Sequence, residues 1–325
     1  MKVRDYVWPV IGVTAVVVST WLLYHEIRNL SLDDIVDSLA AIPWHRWLLA
    51  AGATLVAYTA LAGYDWIALS HLRKKVAWPF VTLCSFTAYA LAHNIGASVL
   101  SGAVVRYRAY TSRGLSAAEV GILVALCSFT FVLGTMEFGG IILLLEPDLI
   151  GRFVDGVPEG LVMAIGVAML GLIGLYVLGS WMGLKPLRIG SFEITYPRLR
   201  IVASQLVIGP LELAGAAGII YFALPAAGNP GFVIVLGIFL ASFTAALLSH
   251  APGGLGVLEI VFVMGLPDLD PADVLAALIV FRLFYLLVPF AVSLLLILVF
   301  ERAEFVRRRL YFKRSSRREA RRQSG

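Results

Sequence analysis

Four ionisable side chains stand in stretches that are otherwise apolar enough to cross a bilayer: Arg106, Glu212, Glu259 and Arg282. A charge at bilayer depth is costly, so such residues pair with one another or line the path of a substrate or ion. Arg106, in "VVRYRAY", falls near a membrane surface, where a guanidinium takes a phosphate through two parallel N–H bonds. Glu212 lies midway along its apolar segment, and Glu259 closes the run "SHAPGGLGVLE". Arg282 has two readings, a structural pair with Glu212 or Glu259 that holds helices in register, or a substrate contact. Asp65 and Glu137 fall near segment ends and read as interfacial. His93 and His250 each stand just before a stretch that breaks a helix, "HNIGAS" and "HAPGGLG". They suggest a proton relay or, since no carboxylate lies at helical spacing from either, imidazoles that cap backbone groups freed by the break.

Other chemistries lack their residues. There is no GxSxG, HExxH or phosphate-cradling Gly-Lys loop, and the two cysteines, Cys84 and Cys127, have no metal-ligand spacing. No catalytic residue, metal or cofactor is expected, and the chain does not read as an enzyme. An enzyme acting on lipid headgroups would need such a motif, and the loop "KPLRIGSFEITYPRLR" is too short for a catalytic domain.

The elements that must hold these side chains are membrane helices. Of 325 residues, 60% are hydrophobic and only 14% charged, the balance of an integral membrane protein. Apolar segments fall at 6–24, 46–70, 78–106, 117–145, 160–182, 199–224, 231–266 and 273–300, each long enough for ~30 Å of hydrocarbon. The first reads as a retained anchor. Between the first two, Leu32, Ile35, Val36 and Leu39 alternate with Asp33, Asp34 and Asp37 at helical spacing, which fits a short interfacial helix or an ordered loop, with Trp44 and Trp47 as headgroup-level anchors.

The third and seventh segments are interrupted, at His93, Asn94 and Gly96 and at His250, Pro252 and Gly256. Unwound backbone in hydrocarbon leaves polar groups unpaired, so these breaks belong inside the bundle, either as kinks or as tips of re-entrant hairpins. Cytoplasmic loops are enriched in Lys and Arg, which decides between the two. If both segments are hairpins, 22 of the 26 basic residues fall on the cytoplasmic side. The expected fold is therefore an all-α polytopic membrane protein with six full transmembrane helices, two re-entrant helical hairpins and both termini cytoplasmic. Three full spans separate the hairpins, so they open to opposite sides and the halves become inverted repeats, a recurrent transporter plan with the substrate at the repeat interface. "SAAEV" (116–120) and "DPADV" (270–274) open the helices that follow the hairpins, each with a side-chain oxygen and a carboxylate three residues on. Residues 1–304 form one transmembrane domain. The basic tail, 305–325, reads as disordered and as an orientation and anionic-lipid signal rather than a nucleic-acid site.

"SHAPGGLGVLE", "FRLFYLLVP" (281–289) and "GAVVRYRAYTSRGLS" (102–116) resemble the lysylphosphatidylglycerol synthetase transmembrane-region family. That family includes the flippase domain of the multiple peptide resistance factor and stand-alone bacterial inner-membrane homologues. The resemblance covers nearly the whole chain. It implies a lipid flippase that moves an anionic or aminoacylated phospholipid, or another lipid-linked substrate, between leaflets. It assigns site roles to Arg106, Pro252, Gly253, Gly254, Gly256, Glu259, Arg282 and Tyr285; Glu212 joins them from the charge argument. Two features depart from the family: the aminoacyl-transferase domain that follows in the resistance factor is missing, and "HNIGASVLSG" lacks the proline many members carry near this break. Two other readings stand beside the flippase: a non-transporting membrane partner that tethers a separately encoded lipid-modifying enzyme through its basic tail, and an enzyme that modifies headgroups. Headgroup, direction, coupling ion and oligomeric state have no signature in the sequence, which is compatible with an oligomer.

Overall fold

The computed structural model describes residues 31–95, 98–154, 156–183, 187–189, 192–194, 197–249 and 254–298. The first apolar segment, the basic tail and the tip residues Gly96, His250, Pro252 and Gly253 lie outside the described residues.

A short helix, α1 (Leu32–Ala41), starts on a reciprocal cap: Asp34 N–H donates to Ser31 Oγ at 3.1 Å, and Ser31 N–H donates to the Asp34 carboxylate at 2.7 Å. Of the two readings of this stretch, the helix is the one observed, with Ile35 and Leu39 turned to the core. Four long helices follow in chain order with shorter ones between them: α2 (Trp44–His71), α3 (Trp78–Ile95), α4 (Ser98–Thr111), α5 (Ala117–Leu145), α6 (Glu159–Trp181) and α7 (Leu199–Ala223). A 3-10 turn, Pro147–Arg152, joins α5 to α6. An antiparallel ribbon of Leu187–Ile189 and Phe192–Ile194, in the register Leu187 opposite Ile194, precedes α7. The chain then forms α8 (Phe232–Ser249), α9 (Val257–Gly265) and α10 (Pro271–Phe281), which runs on through a π-helical stretch, Arg282–Leu287, to Leu298.

Among the described residues, five helices are long and apolar enough to cross a membrane: α2, α5, α6, α7 and the continuous Pro271–Leu298 helix. The protein is thus a helical, multi-pass membrane protein. The capping expectations hold for one helix and change for the other. Ser116 and Glu119 form the full reciprocal box at α5, whereas at α10 Asp270 caps alone, accepting from Ala272 N–H at 2.8 Å.

Contacts fix the directions of the helices. Gly63 faces Ile208 and Gly215 faces Ala57, so α2 and α7 run antiparallel along a long interface. Gly134 and Gly209 bring α5 and α7 so close that a Cβ on Gly134 would lie 2.6 Å from Gly209 C. Gln205 Nε2 donates to Thr130 Oγ1 at 2.9 Å one turn away in the same sense, so α5 and α7 are parallel.

Helices α3 and α4 fold back on each other. Phe80 meets both Tyr110 and Arg113 at the open end, and Gly102 meets Ala88 and Ala92 toward the tip. The pair α8 and α9 does the same, with Gly265 against Ile238 at the open end and Gly254 against Ala246 and Leu258 near the tip. The first pair opens beside the start of α5, the second beside the end of α7. Since those two helices are parallel, the pairs enter the bundle from opposite ends.

Arg46 and Arg152 do structural work where sequence leaves them isolated from the other basic residues. Arg46 Nη1 donates to Leu224 O at the end of α7, and Arg152 Nη1 to Gly265 O at the end of α9, at 2.8 Å. Both satisfy carbonyls that a helix terminus leaves without a donor.

Candidate functional site

The π-helical stretch of α10 is where the two folded-back pairs meet. A π-helix widens the backbone ring and frees carbonyls from their usual intrahelical donors. Two of these are taken by side chains from elsewhere: Tyr58 Oη donates to Tyr285 O at 2.9 Å, and Asn94 Nδ2, at the tip of α3, donates to Leu286 O at 3.1 Å. The His93 ring stacks on Tyr285, centroids 5.0 Å apart and 19° from parallel. Neither sequence reading of His93 describes this contact. Its Nδ1 is buried with no hydrogen-bond partner among the described residues, so it caps nothing through that atom.

Tyr285 turns its hydroxyl to Glu212 on α7, donating to Oε1 at 2.6 Å. Tyr64 from α2 reaches Glu212 Oε2 at 3.4 Å. Glu212 is 2% exposed, so two phenols rather than water solvate it. It does not pair with Arg282. Arg282 instead turns toward α9, where Nε and Nη2 donate to Glu259 Oε1 at 2.8 and 2.5 Å. Glu259 Oε2 accepts from Gly256 N–H at 2.9 Å and so caps the start of α9. Gly256 and Gly254 have φ of +80° and +65°, a region that only glycine enters without strain. These two glycines turn the chain into α9 and leave backbone close to the Glu259 and Arg282 pair.

The second buried pair was hidden by position along the chain. Arg106 is 4% exposed and donates from Nε and Nη2 to Asp65 Oδ1, at 3.1 and 2.8 Å. Asp65, expected at an interface, is fully buried: it also accepts from Tyr110 Oη at 2.8 Å and from Cys127 Sγ at 3.4 Å. Its place near the end of α2 is as expected, but α3, α4 and α5 close over it. The Arg106 guanidinium lies 4.4 Å above the Tyr89 ring, which in turn sits edge-on to Tyr64 and 5.8 Å from His93. Glu137, the other expected interfacial acid, has a buried Oε2 with no partner among the described residues.

Glu259, Arg282, Tyr285, Glu212, Tyr64, His93, Tyr89, Arg106 and Asp65 therefore form one polar and aromatic axis between the two folded-back pairs. Tyr64, Tyr58, Tyr89 and Tyr110 were not singled out from sequence. A signal was present, for Tyr58 and Asp65 stand seven residues apart on one face of an apolar helix.

A family model for the "Lysylphosphatidylglycerol synthase TM region" matches residues 10–293. Similar curated proteins include "Uncharacterized protein slr0712" of Synechocystis, 29% identical over 95% of this chain and 96% of that protein. "Inner membrane protein YbhN" of Escherichia coli is 28% identical over 78% of this chain and 80% of its own length. "Phosphatidylglycerol lysyltransferase" of Staphylococcus haemolyticus is 23% identical over 91% of this chain, which spans only 34% of that protein.

Proposed function

The chain belongs to the lysylphosphatidylglycerol synthase TM-region family, and from that premise we propose that it is a lipid flippase of a bacterial inner membrane. It moves an anionic or aminoacylated phospholipid between leaflets, the headgroup passing along the buried polar axis while the acyl chains stay in lipid. The supporting observation is the junction at Arg282–Leu287, where residues from both folded-back pairs converge on one π-helical stretch. A buried polar axis inside a bundle lowers the desolvation cost of a headgroup in transit.

In this reading, α3–α4 and α8–α9 are re-entrant hairpins in a six-span fold with both termini cytoplasmic. Its halves are inverted repeats: α7, α8 and α10 begin 155, 154 and 154 residues after α2, α3 and α5. The long antiparallel contact of α2 with α7 joins the corresponding helices of the two repeats. Arg282 and the backbone at Gly254 hold phosphate, while Glu259 and Glu212 balance a cationic headgroup and Tyr285 links the two. Arg106 stays paired with Asp65 in this reading and does not itself meet the phosphate. The relatives' names support the lipid reading, since the lysyltransferase is named for a phosphatidylglycerol reaction.

The test is lipid movement between leaflets of vesicles holding the purified chain. Wild type accelerates equilibration over protein-free vesicles, and Glu259→Gln and Arg282→Ala lose that acceleration while remaining folded. Unchanged translocation in both variants contradicts the assignment. A tether for a lipid-modifying enzyme, by contrast, loses partner co-purification when residues 305–325 are removed and shows no translocation of its own.

A further inference from the structure

Away from the buried axis, a cavity of about 440 Å³ opens where α2 ends and α7 begins. Arg73, Arg198 and Arg200 line it, with His71, Trp66 and Ser204. None of the three guanidinium groups has a carboxylate partner among the described residues. The adjacent Lys74 does have one, Glu119, at 2.8 Å. Three unpaired arginines around one hollow repel one another, and that arrangement is relieved by an anion.

Three further details fit the same ligand. Arg73 has φ of +55° and is the one non-glycine residue with positive φ among the described residues. Holding an arginine there is unfavourable and needs compensation from its surroundings. Helix α7 also starts at the cavity without a side-chain cap, which leaves the Leu199 and Arg200 amides without a side-chain acceptor there. Trp66, about half-exposed and edge-on to Trp78 at 6.5 Å, forms an aromatic wall of the kind found at headgroup level. Neighbouring residues of α2 thus face opposite ways: Asp65 turns inward to Arg106, and Trp66 turns outward to the cavity.

We propose that this cavity is a phosphate-binding site, separate from the buried axis, that takes the phosphoryl group of a lipid headgroup or of a soluble phosphate. The site stands whether or not the chain moves lipid, because occupancy is read at equilibrium. A lipid docked there lies at the end of the bundle that carries most of the basic loops.

The experiment measures binding of dihexanoyl phosphatidylglycerol, and separately of inorganic phosphate, to the full chain in detergent. Wild type is compared with Arg198→Gln/Arg200→Gln and with Arg73→Gly, which removes the third guanidinium and suits the local φ. The basic tail is common to all three proteins and drops out of the comparison. Affinity falls about tenfold for each arginine removed, as for loss of a charge-assisted hydrogen bond. Loss in the lipid arm alone identifies a headgroup site, and loss in both arms with mutual competition identifies a general phosphate site. Undiminished binding of both probes in variants that unfold at the wild-type temperature overturns the proposal.

Discussion

Each folded-back pair of helices is tied to a long helix by one buried arginine–carboxylate pair, but the two ties differ in polarity and in closure. In the first, the hairpin supplies the arginine, Arg106, and α2 the acid, Asp65; their side chains are 5% and 0% exposed. In the second, the hairpin supplies the acid, Glu259, and α10 the arginine, Arg282, at 12% and 16%. Asp65 has both oxygens taken by Arg106, Tyr110 and Cys127, so exchanging its partner leaves several groups stranded. Glu259 leans on one arginine and one backbone amide beside two glycines of positive φ. The first tie is built to stay shut. The second is less enclosed and sits beside two positive-φ glycines, which suits a pair that trades its partner for a substrate group.

The largest expected effect breaks the closed tie. Asp65→Ala leaves Arg106 buried without a counter-charge and costs about 3–5 kcal/mol, read as a fall in the thermal unfolding temperature. Asp65→Leu combined with Arg106→Met removes both charges and regains part of the loss, since a buried pair replaced by apolar groups of similar volume is often neutral, while the Tyr110 hydroxyl is left without its acceptor. If the double variant is as unstable as the single one, the two residues do more than neutralise each other.

Breaking the open tie has a smaller effect. Glu259→Gln keeps an acceptor for Gly256 and leaves Arg282 partly solvated, so stability falls by only about 1–2 kcal/mol. Equal losses at Asp65 and Glu259 would erase the contrast between the ties. Tyr285→Phe strands Glu212 Oε1 at about 1–3 kcal/mol, while Tyr64→Phe, which removes two long contacts of 3.4 Å to Glu212 and Gly209 O, costs less. The ranking of those two variants, measured by thermal unfolding, locates the firmer end of the axis.

The smallest effect lies outside the bundle. The Ser31 N–H donating to Asp34 holds that carboxyl below its ordinary value of 3.8. A lowered carboxylate stabilises above the ordinary value and loses that contribution as the pH falls through the lowered one. Amide exchange in α1 therefore quickens only below about pH 4, and Asp34→Asn abolishes that dependence.

Much of this was legible in the sequence because membrane helices follow from local composition. The break between α3 and α4, the turn at Gly254 and Gly256, the cap at Ser116, and the nomination of Glu212, Glu259 and Arg282 all rest on residues within a few positions of each other. Which acid met which arginine was not legible: Arg282 had two candidate partners, and only the approach of α9 to α10 selects Glu259. Asp65 was misread for the same reason. Distance from a helix end suggests exposure, but burial depends on α3, α4 and α5, whose arrival over α2 no local pattern announces. The π-helical stretch was equally silent, since "RLFYLL" reads as ordinary apolar helix, and the Tyr58 and Asn94 side chains that take its carbonyls come from distant parts of the chain.

The central claim is that the Glu259–Arg282 tie opens for lipid whereas the Asp65–Arg106 tie holds the fold. Leaflet-to-leaflet lipid movement in vesicles, measured side by side for Glu259→Gln and for Asp65→Leu/Arg106→Met, tests it most directly. The account predicts that Glu259→Gln stays folded and loses translocation, while the apolar double variant, once folded, keeps most of it. Translocation retained in Glu259→Gln and lost in a well-folded double variant would contradict it.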